Sequence, residues 1–452
     1  VRAGQPGDQL PSTRHIVEAR HVSPTTVSRA LALLAREGLI ETRPGSGTFV
    51  AQARRRTTAI DHSWQTIALA DRSIEIDGLS QLAEPSDRPG FISFATGYLH
   101  PSLMPVRALS GALARAARLP DAWDRPPAGG LHGLQSWFAR SASPSVDASD
   151  VVITPGGQAA ISAAFRALVP AGAPLLVESP TYQGALAIAR AAGIRPVPVP
   201  VDEKGVNPEL LAEAFSRTGA QAFYTQPTYQ NPTGAVLDGA RRAAVLEAAA
   251  QAGAFIIEDD YARWLSHGSR PERPLLADDV DGRVVYLTSL TKVASPSLRI
   301  GALIARGPVA QRLRAMRIVD DMFVPRPTQE AALELVSASA WTSHLRNLGI
   351  ALGQRCRFLV HAINSVLPAA SVPLVPQGGA SLWVELPMSL DDTAVSAAAR
   401  DAGVLVLPSR PFFAAEPSGP HLRMSYSSVA NEGELETGVR RLAAAVPALA
   451  GD

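Results

Sequence analysis

Of the 42 basic side chains in this sequence only two are lysines, Lys204 and Lys292, so chemistry that needs an amine nucleophile has two candidates. Lys292 stands just past a β-rich run, in Val285-Tyr-Leu-Thr-Ser289-Leu-Thr291-Lys292-Val-Ala-Ser-Pro-Ser-Leu-Arg299-Ile-Gly301. A lysine in a short apolar setting after a strand suits Schiff-base chemistry, because partial desolvation favours the neutral amine. Ser289, Thr291 and Arg299 would surround it with two hydroxyls and a guanidinium, a set that binds phosphate. The competing reading is an ordinary surface lysine, and Ile257-Glu-Asp259-Asp260-Tyr261 decides against it. A buried carboxylate there, facing a pyridine nitrogen, would keep that nitrogen protonated and make the ring an electron sink. Asp259 takes that role, Tyr261 would hydrogen-bond a ring hydroxyl oxygen, and Asp260 would point to solvent; an exchange between the two aspartates is the alternative.

Two further segments converge on the same chemistry. Asn231-Pro-Thr-Gly234 follows another apolar run and would bring an amide to the ring oxygen, while Thr154-Pro-Gly156-Gly157-Gln158 sits at a strand-to-helix junction. Glycines there let backbone N–H groups approach a phosphate at the helix N-terminus. Either turn alone is common and says little. Other chemistries fare badly: Gly45-Ser46-Gly47 lies in a hairpin tip and is no nucleophile elbow. The nine histidines include no HExxH or clustered Cys/His set, so no metal site is expected, and Cys356 on a helical stretch reads as inert.

The elements that must position these residues are β-rich runs alternating with alanine-rich helical stretches. Residues 151–154, 174–178, 197–201, 222–225, 255–259, 284–288 and 301–305 read as strands, and 157–168, 184–192, 208–217 and 239–253 as helices. Continuous apolar strands separated by helices predict an α/β domain with a mostly parallel sheet covered by helices on both faces. After Pro327 helices precede shorter strands at 381–386 and 421–426, which predicts a smaller C-terminal α+β domain. The expected division is 1–51, a linker over 52–90, a large domain over 91–327 and a small one over 328–452.

The N-terminus has a different character. Residues 1–56 carry nine Arg against four acidic residues, so although the whole chain has a net charge of +1, nucleic acid is a candidate partner for this end. Ser12 can cap a helix over 13–20, and Ser23 before Pro24 caps a second over 24–37 with Val27, Ala30, Leu31 and Leu34 as its apolar stripe. Strands at 39–42 and 48–51 then flank the turn Arg43-Pro-Gly45-Ser46-Gly47, completing a winged helix-turn-helix. In such a unit the second helix offers its N-terminal residues to base edges and the wing anchors to phosphates. Arg14, Ser23, Thr25, Thr26, Arg29, Gly45, Ser46 and Gly47 are the expected contacts to double-stranded promoter DNA. Arg54-Arg55-Arg56 reads either as a solvated linker charge or as a phosphate contact.

Over residues 6–50 the sequence resembles the DNA-binding domain of GntR-type regulators, a family that places a further helix ahead of this stretch, where only Val1 to Gln5 stand here. Over residues 91–447 the ordered set Gly156-Gly157-Gln158, Glu178-Ser-Pro-Thr-Tyr182, Asn231-Pro-Thr-Gly234, Asp259-Asp-Tyr261, Ser289-Leu-Thr291-Lys292, Arg299 and His421-Leu-Arg423 resembles a fold-type I pyridoxal-phosphate aminotransferase. The resemblance implies pyridoxal 5'-phosphate as cofactor, an aldimine at Lys292, Tyr182 stacked on the ring and Arg423 gripping a substrate α-carboxylate. The fusion resembles the MocR family of bacterial transcriptional regulators, which implies a head-to-tail homodimer and an amino-acid or amine effector that modulates promoter binding. The alternative is a working aminotransferase with a truncated or vestigial DNA-binding domain. One position departs from the pattern: Arg125 stands where most aminotransferase-like members carry a tyrosine that reaches the partner subunit's cofactor phosphate.

With 46% hydrophobic and 18% charged residues, disorder is excluded, and the single cysteine excludes an internal disulfide. No apolar run approaches the roughly 20 residues of a membrane span, and no signal peptide is visible, so a soluble cytoplasmic protein is expected.

Overall fold

The computed structural model describes residues 5–51, 61–69, 89–268 and 271–450, which fall into two compact units, Val1–Ser73 and Ile74–Asp452. The arginine triplet at 54–56 and most of the expected linker lie outside the described residues.

In the first unit, α1 (Thr13–Arg20) is capped by Ser12, whose hydroxyl accepts from His15 N. Ser23 caps α2 (Pro24–Arg36) in the same way, accepting from Thr26 N, with Pro24 in the first turn where its missing N–H costs nothing. A hairpin of β1 (Ile40–Arg43) and β2 (Gly47–Val50) follows, in a register that sets Ile40 opposite Val50 and Arg43 opposite Gly47. Gly47 is obligatory: its φ is +113°, and a Cβ there would sit 2.6 Å from Gln9 Nε2, which donates to Ser46 O across the wing. The apolar stripe expected on α2 is thinner than its spacing suggested. Val27 is buried, Leu31 and Leu34 are half-buried, and Ala30 is exposed, because a unit this small buries few side chains on every side. A short helix, α3 (Ser63–Ala68), stands within the segment expected as linker.

The second unit is built on an eight-stranded sheet. In chain order the first strands of this unit are β3 (Ile92–Ser93), β4 (Val151–Thr154), β5 (Pro174–Ser179), β6 (Arg195–Asp202), β7 (Gly205–Val206), β8 (Ala222–Thr225), β9 (Phe255–Asp259), β10 (Val284–Ser289) and β11 (Gly301–Ile304). The large sheet runs β4-β11-β10-β9-β8-β5-β6-β7. Its centre is parallel, but β11, expected as one more strand of a mostly parallel set, pairs antiparallel with both β10 and β4. The link from β10 to β11, residues 290–300, holds turns and no helix, whereas a parallel return needs a longer crossover, usually helical.

Strand residues alternate between two cores, as a doubly covered sheet requires. After α4 (Val106–Ala116) and α5 (His132–Ala142), α6 (Gly157–Leu168) brings Ile161 and Phe165 to one layer, which Val152, Val177, Ile257 and Val285 face. Ile153, Leu176, Ile256 and Tyr286 face the other, which continues into the C-terminal part. That part holds β12 (Ser381–Glu385), β13 (Val404–Leu405), β14 (Leu407–Pro408) and β15 (His421–Ser425), with β15 central between β12 and β14.

Two expected boundaries shift. Residue 327 falls in the first turn of the helix Arg326–Ser337. Residues from 91 onward, expected in the large domain, begin beside the C-terminal strands: β3 pairs in parallel with β13, Phe94 N donates to Leu405 O, and Ser425 N donates to Phe94 O. Long-range pairing of this kind leaves no local signal. Among the described residues no helix is long and apolar enough to cross a membrane, and no group of His, Cys, Asp or Glu is arranged to hold a metal ion.

Candidate functional site

The carboxyl ends of the parallel strands β5, β8, β9 and β10 deliver Glu178, Gln226, Asp259 and Ser289 to one region, the place where open α/β sheets bind ligands. A cavity of about 80 Å³ there is lined by Gly157, Gln158, Tyr182, Asn231, Asp259, Tyr261, Ser289, Thr291, Lys292, Arg299 and Arg423, together with Tyr98 and Gln226. It adjoins a larger cavity of about 810 Å³, and Tyr98, Tyr182, Asn231, Lys292, Arg299 and Arg423 line both. The sequence-predicted residues of this region are thus together, except that Gly156 stands just behind, as the N-cap of α6.

Lys292 is half-buried and its amine is pushed down to about 7, first by loss of hydration and then by the nearby Arg423 guanidinium, with Asp259 acting in the opposite sense. A lysine near neutrality is a nucleophile at physiological pH. Asp259 is buried at 4% exposure and pushed up to about 6 by burial, against Tyr224 Oη at 2.6 Å and Gln226 Nε2 at 2.9 Å, both of which donate to Oδ2. Asp260 does not point to solvent. Strand alternation turns it to the opposite face of the sheet, which is also covered, where Tyr286 Oη and Arg263 Nη1 each donate to Oδ2 at 2.9 Å. This opposite pointing favours Asp259 over its neighbour for the cavity.

The phosphate-like end has a cradle that only glycine permits. Gly156 has φ +89°, and a Cβ there would come within 3.0 Å of the Arg299 guanidinium. The first N–H groups of α6 are free of helical partners by construction. Thr291 N donates to Ser289 Oγ at 3.0 Å and Ser289 Oγ donates to Thr291 Oγ1 at 2.7 Å, so the two hydroxyls stand together. Arg299 is exposed, adopts a left-handed φ of +52° and donates to Pro155 O at 2.7 Å. Such backbone costs about 1–3 kcal/mol and concentrates at functional sites.

At the other end Arg423, at 6% exposure, donates from Nε to Asn231 Oδ1 at 2.9 Å and from Nη1 to Ala95 O at 3.1 Å. Asn231 is therefore oriented by Arg423, with its amide N–H groups left for a ligand oxygen. Tyr261 Oη donates to Tyr229 O at 2.7 Å, and Tyr182 Oη donates to Gln158 Oε1 at 3.0 Å. Arg125 is exposed and lines neither cavity of its own chain.

Sequence reasoning missed four contributors. Tyr224 and Gln226 grip Asp259; Gln226 follows a strand end, as Asn231 nearly does, and could have been found by asking what sits beside the carboxylate. Glu178, quoted only as part of a motif, is buried and pushed up to about 7 by burial, and accepts from Thr225 Oγ1, Gln226 N and Gln230 Nε2. Tyr98 places its ring 4.0 Å from Lys292 Nζ, and no local signal marks it.

The predicted DNA-facing residues lie in the first unit. Thr25 and Arg29 are exposed. Ser23 and Thr26 bond each other at the cap, Oγ to Oγ1 at 2.8 Å, and Arg14 pairs with Glu18 at 3.1 Å on an exposed face. Gly45 and Gly47 both hold positive φ around Ser46 in the exposed wing.

The donor set tests a specific cofactor: a glycine cradle at a helix N-terminus with hydroxyls and a guanidinium for phosphate, a buried carboxylate for a ring nitrogen, and an amine between them. These residues fit pyridoxal phosphate. Residues 132–442 match the family described as "Aminotransferase class I and II" and residues 3–50 match "Bacterial regulatory proteins, gntR family". The chain is 30% identical to the 2-aminoadipate transaminase of Thermus thermophilus, over 83% of this chain and 95% of that one. It is 28% identical to the probable rhizopine catabolism regulatory protein MocR of Rhizobium meliloti, over 90% of this chain and 84% of that one, a match that spans both units. The solved structure of the α-aminoadipate aminotransferase LysN of Thermus thermophilus, complexed with N-(5'-phosphopyridoxyl)-L-leucine, superposes with a TM-score of 0.78 at 28% identity, covering 85% of this chain and 98% of that one.

Proposed function

Because the chain belongs to the aminotransferase class I and II family and carries a gntR-family domain ahead of it, we propose that it is a pyridoxal-phosphate-dependent transcriptional regulator that binds promoter DNA and senses an amino acid or amine at Lys292. The observation that carries the reading is the complete constellation around a lysine brought near neutrality, in one chain with a helix-turn-helix whose polar residues are exposed. Bound pyridoxal phosphate supplies an aldehyde that condenses with amines and a ring that withdraws electrons. Gly156, Gly157, Gln158, Ser289, Thr291 and Arg299 would hold its phosphate, Asp259 its ring nitrogen, Asn231 and Tyr261 its ring oxygen, and Tyr182 one ring face.

Lys292 Nζ offers the lone pair, and the same nitrogen can carry a proton between ligand carbon and solvent once it is neutral. Arg423 receives a carboxylate through its planar fork, which separates amino acids from simple amines. In the first unit Arg29 and Thr25 would read bases, Ser23 and Thr26 would fix the helix start, and Arg14 with Gly45, Ser46 and Gly47 would meet phosphates. A homodimer of the aminotransferase type is part of the same reading, with its head-to-tail arrangement as the finer proposal. The second reading, a working aminotransferase, is favoured by one observation: 95% of a transaminase is covered by the matched residues. A gel-shift scan of the gene's own upstream DNA, with and without cofactor and candidate amines, separates the two. Specific retardation that responds to an amine supports the regulator; turnover of amino acids with a keto acid and no DNA preference supports the enzyme.

A further inference from the structure

Tyr98 lies at the boundary of the two cavities, and its ring centroid is 4.0 Å from Lys292 Nζ. It belongs to a strap that is fastened to the C-terminal part of the unit, whereas Lys292 follows β10 of the large sheet. Ser427 Oγ donates to Tyr98 O at 3.1 Å and His100 N donates to Ser427 O at 2.8 Å, while Arg423 holds Ala95 O. Gly97 lets the strap approach: a Cβ there would stand 3.5 Å from Lys292 Nζ and 3.0 Å from Arg423 Nη2. The ring itself is not core packing, since Tyr98 is 36% exposed and its hydroxyl makes no hydrogen bond among the described residues.

We propose that Tyr98 is a positioning residue for Lys292, its ring holding the Nζ ammonium at the boundary between the two cavities and releasing it when the nitrogen loses its proton. The attraction of a ring face is for a cation, so it acts on the charged amine alone. It works beside Asp259 and against Arg423 and Arg299, the charged groups that face Nζ from β9, β15 and the Arg299 turn. Tyr182 and Tyr261 share the inner cavity with it. Because the strap is fastened to the C-terminal part, the protonation state of Lys292 is linked to an element outside the large sheet.

This inference rests on the assignment of Lys292 as the reactive amine, and its test separates the two. The full chain, stripped of cofactor, is pulsed with a trace of acetic anhydride across a pH series, digested, and the acetylated peptides are quantified by mass spectrometry. Lys204 is the only other lysine and serves as the internal reference. The Lys292 midpoint should fall by about half a pH unit or more in Tyr98→Leu and Tyr98→Met and stay at the wild-type value in Tyr98→Phe. A midpoint that holds or rises in the aliphatic variants, or falls equally in Tyr98→Phe, would overturn the proposal. In parallel, borohydride reduction of wild-type protein with pyridoxal phosphate should label Lys292. Absence of that label would sink the assignment of the amine, whereas a label with unmoved midpoints would sink only the role of Tyr98.

Discussion

The two regions that carry this protein's charged functional groups are built on opposite plans. Around Lys292 the charges are held before any ligand arrives: Asp259 is gripped by Tyr224 and Gln226, Arg423 is tied to Asn231 and Ala95, and each is nine-tenths buried or more. In the helix-turn-helix Arg29 is exposed, and Arg14 is exposed and paired, among the described residues, with Glu18. Buried groups of fixed geometry discriminate small ligands, because a mismatch leaves a polar atom unpaired. Exposed arginines gain their energy from the partner, by releasing counterions and by bidentate contact with bases. Under the proposed function, ligand selection would be preorganised, whereas DNA selection would be completed only on contact.

The largest expected effect breaks the first region outright. Lys292→Ala should abolish the borohydride-reducible adduct and the visible absorption band of the cofactor-loaded protein. A persistent adduct would move the chemistry to Lys204. Next come the held charges. Asp259→Asn should slow the amino-acid-dependent spectral change roughly tenfold or more, about 1.4 kcal/mol in barrier, whereas Asp260→Asn should chiefly lower stability, since it takes the charge partner from a half-buried Arg263. Equal spectral losses would remove the distinction drawn from strand alternation. Arg423→Lys keeps a charge but loses the fork, so amino-acid binding should weaken by about 1.5–3 kcal/mol while simple amines bind almost as before; parallel loss of both would make Arg423 a scaffold residue.

In the second region effects should be smaller and differ in kind. Arg29→Ala should cost roughly 1–3 kcal/mol of discrimination between operator and altered sites, and Arg14→Ala should weaken all duplexes alike and reduce the salt slope by about 1. If both variants lost affinity uniformly, no base reading could be assigned to Arg29.

The smallest expected effect concerns pH. Glu178 has its folded-state value raised to about 7 from 4.5. Between those values the native state holds a proton that the unfolded chain has lost, so this carboxyl's contribution falls as pH rises through that window. Glu178→Gln should make the decline of urea midpoints between pH 4.5 and 7 shallower. An unchanged slope would assign the decline to other carboxyls.

Much of the fold was legible because it is local. Helix starts at Ser12 and Ser23 follow from capping chemistry, and the sheet strands follow from apolar runs bounded by glycines and prolines, which is why the element positions agree within a few residues. What was not legible is what sequence distance hides. The antiparallel insertion of β11, the pairing of β3 with β13 and the placement of Tyr98 over Lys292 all depend on partners far along the chain. The site shows the same division. Residues in motifs next to strand ends could be found, while the groups that orient them, Tyr224 and Gln226, are marked only by their contact with Asp259. Asp260 was misjudged because alternation along a strand gives the opposite face, and in a doubly covered sheet that face is also buried.

The proposed function couples amine chemistry at Lys292 to DNA binding by the unit that carries Arg29. Its most direct test is the affinity of the full chain for its own upstream DNA, measured by fluorescence anisotropy with pyridoxal phosphate present, as a panel of amino acids and amines is titrated. At least one ligand should shift the DNA affinity of the wild-type protein and leave Lys292→Ala unmoved, with both proteins binding the same site. An equal shift in both proteins, or specific DNA binding that no amine alters while transamination proceeds, would contradict it.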